Sequence, residues 1–174
     1  LSYAYGMKLG QNFRLSAGVS AGFMQSALDG GRLVALDDED LQLPDGNATA
    51  TAYQLSAGVF LRGQNLQIGF SVPHLTQSKV SYDFDNVTNF VFSRHYVGFV
   101  AYQIALNRDF SIQPSVLFKT DMVQAQAEAS VLADYNNQFR LGLSYRGYNA
   151  HTTDALAIMG GLRLSPRFML MYSY

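Results

Sequence analysis

The sequence contains no cysteine and no tryptophan, only four prolines, and charged residues at just 14% of its positions. Without cysteine there is no disulfide framework, no thiolate metal site and no cysteine to carry a lipid. The charged share is about half that of an ordinary water-soluble domain, which points to a solvent other than water for much of the surface. Only Lys8, Lys79 and Lys119 among the twelve basic residues are lysines, and the net charge is −1. A pI near 6.3 excludes a nucleic-acid surface, which needs a basic excess to release counterions from phosphates. Long apolar runs are missing too: no window approaches eighteen uninterrupted apolar residues, and mean hydropathy is +0.01, so a bundle of transmembrane helices is excluded. No segment has helical periodicity, and the residues shown include no signal peptide, since Leu1 already sits in a strand-like pattern. The chain therefore reads as a mature or partial piece of a longer protein.

What is present is a length of 174 residues, suited to one domain, with 48% apolar residues including 12 Phe and 11 Tyr. The apolar residues recur with period two, the signature of strands. Phe13, Leu15, Ala17, Val19, Ala21 and Phe23 alternate with Arg14, Ser16, Gly18, Ser20 and Gly22. The same alternation fills residues 53–62, 66–72, 110–119, 123–131 and 139–146, and weaker versions occupy 1–9, 94–106, 154–164 and 168–174. About ten strands of roughly 7 to 13 residues are predicted.

Connections differ systematically in length. Residues 10–12, 63–65, 107–109, 135–138 and 165–167 are short and rich in turn formers. Residues 25–52 and 75–93 are long, while 119–122 and 147–153 are shorter. If the strands run up and down, all five tight turns fall at one end, the layout of outer-membrane barrels. A soluble lipocalin-like barrel shares the alternation, so composition of the polar face decides. That face is Ser, Gly, Gln and occasional Arg, small and mostly uncharged, which suits a lumen. Phe13, Phe110, Phe139 and Phe168 each follow a short turn closely and are expected to form an aromatic girdle at one membrane interface. The predicted fold is an all-β, antiparallel, up-and-down transmembrane barrel of outer-membrane type, whole or part of a larger one. The short turns are expected on the periplasmic side.

Several constellations carry chemistry of their own. Asp37, Asp38, Glu39 and Asp40 form an acidic run that could coordinate calcium through oxygen ligands, but it lacks the alternating spacing and central glycine of an EF-hand. A solvated acidic loop is the plainer reading. Residues 25–52 hold six acids against Arg32 alone and could steer a basic partner. His95 beside Ser93, or His74 beside Ser71, could serve a barrel hydrolase, yet no nucleophile-elbow pattern is present, and structural or interfacial roles fit both histidines better. Pro73 and Pro114 each remove a sheet hydrogen bond and should mark a strand end, bulge or edge. Arg14, Arg62, Arg140 and Arg146 share the polar face. They either make a lumen cationic or pair with Glu128 and other acids, and the sequence leaves both open. Gly160 and Gly161 lack phosphate-loop spacing.

Residues 3–10 (YAYGMKLG), 71–75 (SVPHL), 94–96 (RHY), 114–119 (PSVLFK) and 139–146 (FRLGLSYR), followed by Gly160, Gly161 and the closing MYSY of residues 171–174, resemble successive blocks of the PorP/SprF family. That family serves type IX secretion and gliding motility in the outer membrane of Bacteroidota. The resemblance implies a single barrel domain over residues 1–174, with further strands before it and a further C-terminal end. It implies a non-enzymatic component without cofactors that assists export or surface anchoring of cargo, at the cell outer membrane. Implied partners are secreted adhesins or surface proteins, secretion lipoproteins or ring and motor components, and outer-membrane lipid. Pro73, His74, Arg94 and His95, in two of the blocks, are the candidates for partner contact. A diffusion porin or small-solute channel is the alternative.

Overall fold

A computed structural model describes residues 1–29, 47–80, 90–147 and 155–174, and every regular element among them is a strand. In chain order these are β1 (Ser2–Leu9), β2 (Phe13–Asp29), β3 (Asn47–Arg62), β4 (Leu66–Val72), β5 (Lys79–Val80), β6 (Phe90–Val91), β7 (Tyr96–Tyr102), β8 (Ile104–Ala105), β9 (Phe110–Thr120), β10 (Ala125–Tyr135), β11 (Phe139–Gly147), β12 (Ala155–Arg163) and β13 (Met169–Ser173). The main sheet runs β1-β2-β3-β4-β7-β9-β10-β11-β12-β13, with β8 added beside β9 and β5-β6 forming a separate pair. Every neighbouring pair is antiparallel. This is the predicted up-and-down order, and the ten strands of the main path match the predicted number. The sheet is open: β1 and β13 each have one neighbour.

The five short turns lie at one end of the sheet, as the connection lengths predict. Local chemistry builds them. Gly10 takes φ +66, while Asn136 and Asn137 take φ 52 and 54 in the three-residue loop of the β10–β11 hairpin, where Gln138 N–H bonds Tyr135 O at 3.0 Å, a left-handed pair that suits hairpin twist. Asn107 Oδ1 accepts the N–H groups of Asp109 and Phe110 at 3.0 and 2.8 Å, and Ser165 Oγ accepts Phe168 N–H at 3.1 Å, the side-chain mimicry that suits these residues to turns.

At the other end Asp121 closes the β9–β10 connection. Its Oδ1 accepts Gln124 N–H at 2.6 Å and Val123 N–H at 3.0 Å. These two bonds, Gln124 first, hold the carboxyl below the usual carboxylate range. Because the folded value is depressed, the turn's stabilisation is complete above the ordinary carboxylate pKa and is lost as pH falls through the lower folded value. The amide proton shifts of Val123 and Gln124 should titrate together with a midpoint below the usual range. A midpoint at or above that range would contradict this turn geometry.

Three features depart from the sequence reading. First, β2 and β3 stay paired to Asp29↔Asn47, so strand structure covers the outer parts of the stretch read as a loop over residues 25–52. Secondly, the strand expected over residues 94–106 is two pieces, β7 and β8, and the interruption at Gln103 lies beside Pro114. β9 pairs with β7 as far as Ser115↔Ala101 and resumes with β8 at Ile112↔Ile104. Each side has two residues in the gap, so the missing proline N–H interrupts the ladder without an inserted residue. On its other side Pro114 pairs regularly with Val131. Thirdly, Val123 lies in the β9–β10 turn instead of opening a strand. Pro73 follows the end of β4, as predicted.

Candidate functional site

The strand register sorts side chains into two faces of opposite character. One face carries Phe13, Val19 and Phe23 on β2, Val59, Leu55 and Tyr53 on β3, Val116 and Phe118 on β9, Leu141, Leu143 and Tyr145 on β11, and Leu156 and Ile158 on β12, all exposed. Phe23 is 75% and Tyr53 73% exposed. Among the described residues the buried apolar side chains are only Ala50, Ala52, Val80 and Ala101, while Ser144 on the other face is 6% exposed. A continuous apolar exterior far exceeds the few hundred square ångströms that a monomer leaves in water. Its natural solvent is hydrocarbon.

Register also marks where that solvent ends. Phe23 and Tyr53 are direct cross-strand partners; beyond them the same face continues with Gln25↔Thr51 and Ala27↔Thr49. Ten residues separate Phe13 from Phe23, about 33 Å of strand. At the usual barrel tilt that is a height of about 25 Å, the apolar band of a transmembrane β-barrel. Phe13, Phe110 and Phe139 fall on the apolar side of their registers at the short-turn end, as the girdle prediction required, and Phe168 stands exposed just before β13 at the same end, its carbonyl bonded by Leu164 N–H.

The polar face divides the arginines that the sequence grouped together. On β10 and β11, Asp134 and Arg140 are direct partners joined by two bonds, Nε–Oδ1 at 2.7 Å and Nη2–Oδ2 at 3.1 Å. Six residues along β10, Glu128 receives Nε and Nη2 of Arg146 at 3.0 and 2.8 Å and the Ser144 hydroxyl at 2.8 Å. Ser144 in turn accepts Ser130 Oγ at 2.8 Å. Fork-shaped guanidinium pairs of this kind fix register as well as charge. Arg14 and Arg62 are different. They face one another across β2–β3, and Lys8 faces Arg14 across β1–β2, with no carboxylate bonded to any of the three among the described residues. The alternatives left open are therefore both realised, on different parts of one face. The whole short-turn rim is basic: Lys8, Arg14, Arg62, Arg108, Arg140, Arg163 and Arg167 stand against Asp109 and Asp134.

A third assembly lies at the opposite rim. The chain after β4 turns along the overhanging part of β3: Leu75 N–H bonds Leu55 O at 2.8 Å, and the hydroxyls of Thr76 and Ser78 bond Tyr53 O. Val80 then packs on Ala50 and Ala52 with Phe92 beside them, a small apolar core on the polar face. Here Pro73, His74, Arg94 and His95 are brought together. The His74 ring stacks on Phe92 with centroids 5.2 Å apart and meets His95 at 6.0 Å. His95 N–H points to Pro73 O at 3.4 Å, and Arg94 Nη2 donates to Leu75 O at 2.8 Å. His74 takes φ 55, the left-handed region. His74 Nδ1 and Arg94 Nε are enclosed and have no bonded partner. His95 Nδ1 lies 2.9 Å from the Ser93 carbonyl rather than its hydroxyl, so the imidazole is turned to the backbone. No serine hydroxyl bonds either histidine among the described residues.

The acidic run Asp37, Asp38, Glu39 and Asp40 and His151 lie outside the described residues. Among the described residues no three carboxylate or imidazole side chains gather in metal-binding geometry.

A continuous apolar face, a row of phenylalanines at its short-turn limit and a polar face held by cross-strand ion pairs define a membrane protein that crosses with strands. The family model of the type IX secretion system membrane protein PorP/SprF matches residues 1–174, and the chain belongs to that family. No curated protein and no solved structure matches it.

Proposed function

We propose that the protein is a non-catalytic outer-membrane component of the type IX secretion and gliding apparatus that assists export or surface attachment of cargo proteins. The observation that carries this reading is the family match over residues 1–174, joined to a sheet whose apolar face spans about one outer-membrane thickness. Lipid offers no partner to an open strand edge. The free edges of β1 and β13 therefore require closure, and we read the strands as one barrel domain completed by further strands. In this reading the polar face is the lumen, the short turns face the periplasm, and the overhanging β2–β3 pair stands on the exterior. Pro73, His74, Arg94 and His95 form the contact surface offered at the outer rim to secreted adhesins, surface proteins or secretion lipoproteins. Stacking of His74 on Phe92 and the bond from Arg94 to the Leu75 carbonyl hold this surface in one arrangement, and such pre-organisation supports a contact role.

The unpaired Lys8, Arg14 and Arg62 favour a second reading, a channel for small anionic solutes. Deletion of the gene separates the two. A secretion component should remove one or a few large proteins from the cell surface while small-solute permeability stays near normal. An unchanged surface proteome with loss of uptake of a specific solute would replace the secretion reading with the channel.

A further inference from the structure

We propose that Lys8, Arg14 and Arg62 form a docking site for an acidic polypeptide segment on the polar face at the short-turn rim. The three occupy one cross-strand row, Lys8↔Arg14↔Arg62, on three adjacent strands. Like charges placed directly opposite one another destabilise a sheet, and this row repeats that opposition twice. The same sheet shows how such charges are otherwise handled: on β10–β11 both arginines face an acid. At the short-turn rim Asp134 is already engaged by Arg140, and Asp109 belongs to a turn. The row continues into Gln67, the partner of Arg62 on β4, which adds an amide donor.

The site is also given room. A Cβ on Gly6 would lie 2.9 Å from Arg14 Nε and 3.1 Å from its Nη2, so the absent side chain lets the guanidinium lie flat across β1. The acidic connection of the same chain starts from Asp29, fifteen residues along β2 from Arg14, which is about 50 Å of strand. That connection is therefore not the source of the counter-charge.

Charge and placement favour an extended peptide over a lipid headgroup. The row lies on the face opposite Phe13, Leu15 and Leu61, the apolar residues beside it in sequence, so lipid headgroups ringing the apolar face are on the wrong side. Three strands spaced about 4.8 Å apart spread the cations over about 10 Å, and alternate side chains of an extended segment recur about every 7 Å. Two carboxylates of such a segment bridge three cations with charge-assisted bonds. This inference rests on the proposed function in taking the polar face as open to water and to the periplasm.

The test uses the full chain in detergent micelles with a fluorescein-labelled oligo-aspartate peptide, read by anisotropy. Binding should be salt-sensitive, and the Arg14→Gln/Arg62→Gln pair should weaken it by about tenfold or more. Arg14→Lys/Arg62→Lys should retain most of it, and Arg167→Gln, a cation in a turn of the same rim, should leave it within about twofold. A heat-modified mobility shift checks that each variant is folded. Equal weakening by Arg167→Gln, no weakening by the Gln pair, displacement by inorganic phosphate at the peptide's own concentration, or recruitment of phosphatidylglycerol vesicles through these residues would each overturn the site. A strain whose surface proteome survives deletion refutes the secretion reading while leaving an intact peptide site standing. Loss of surface proteins on deletion without peptide binding does the reverse.

Discussion

Arginine in place of Leu143 should destabilise the protein in lipid by about 2 to 4 kcal/mol, the cost of a cation near the bilayer midplane on the outward face of a barrel. Leu143 lies four residues along β11 from Phe139, the girdle residue, which places it about 10 Å into the apolar band. Its side chain is 50% exposed, and in water that exposure would make the substitution nearly neutral. The matching change on the polar face belongs at Ser20, which lies between Ser2 and Ser56 in register and should cost less than about 1 kcal/mol. Ser144 is unsuitable as the control although it alternates with Leu143. It is buried and links Ser130 to Glu128, so arginine there would break the network rather than report on solvent. Unfolding from lipid vesicles in urea measures both changes.

The second large effect is expected at Glu128. Removing this carboxylate by Glu128→Ala leaves the Ser144 hydroxyl and the Arg146 fork without their acceptor. Loss of a partly buried charge-assisted acceptor costs about 1 to 3 kcal/mol, somewhat less here because the Arg146 side chain is 52% exposed. The contrasting change is Arg62→Ala. It removes a charge set between Arg14 on β2 and Gln67 on β4, with no acid beside it, and stability should hold or rise slightly. If both alanine variants lose stability equally, the division of the arginines into paired and unpaired sets is wrong.

These two expectations separate what local sequence conveys from what only register supplies. Alternation is local: Phe13, Leu15, Ala17 and Val19 declare their common face without reference to any other strand. Turns are equally local, because Gly10, Asn107, Asn136 and Ser165 shape their own backbone. The face assignment, the single end for all short turns and the phenylalanine girdle were therefore legible. Pairing of charges was not. Arg14, Arg62, Arg140 and Arg146 look alike along the chain, and only the ladder sets Arg140 against Asp134 and Arg146 against Glu128 while setting Arg14 between Lys8 and Arg62. Lys8 went unnoticed for the same reason.

The overhang of β2 and β3 was missed on physical grounds as well. Past Phe23 and Tyr53 the face that was apolar carries Gln25, Thr49 and Thr51 while Ala50 and Ala52 on the other face are covered by Val80, so the period-two signal loses its large apolar residues while the hydrogen bonds continue. The break between β7 and β8 follows from Pro114 on the neighbouring strand, a cause that lies on β9 and is invisible in residues 94–106. The four residues of the outer-rim cluster stand in two separate blocks of sequence, and their assembly depends on the chain after β4 folding back along β3.

The absence of tryptophan permits the most direct test of a strand-built membrane protein, because a single introduced indole has no background. Tryptophan should be placed in turn at Val19, Ser20, Phe23, Gln25, Leu55 and Leu143, and its quenching measured in vesicles whose lipid chains carry bromine near the bilayer centre. Strong quenching is expected at Val19, Leu55 and Leu143, weaker quenching at Phe23 at the band's limit, and little at Ser20 and Gln25. Uniform quenching along β2, or strong quenching at Ser20 with none at Val19, would contradict the assignment of the apolar face to lipid.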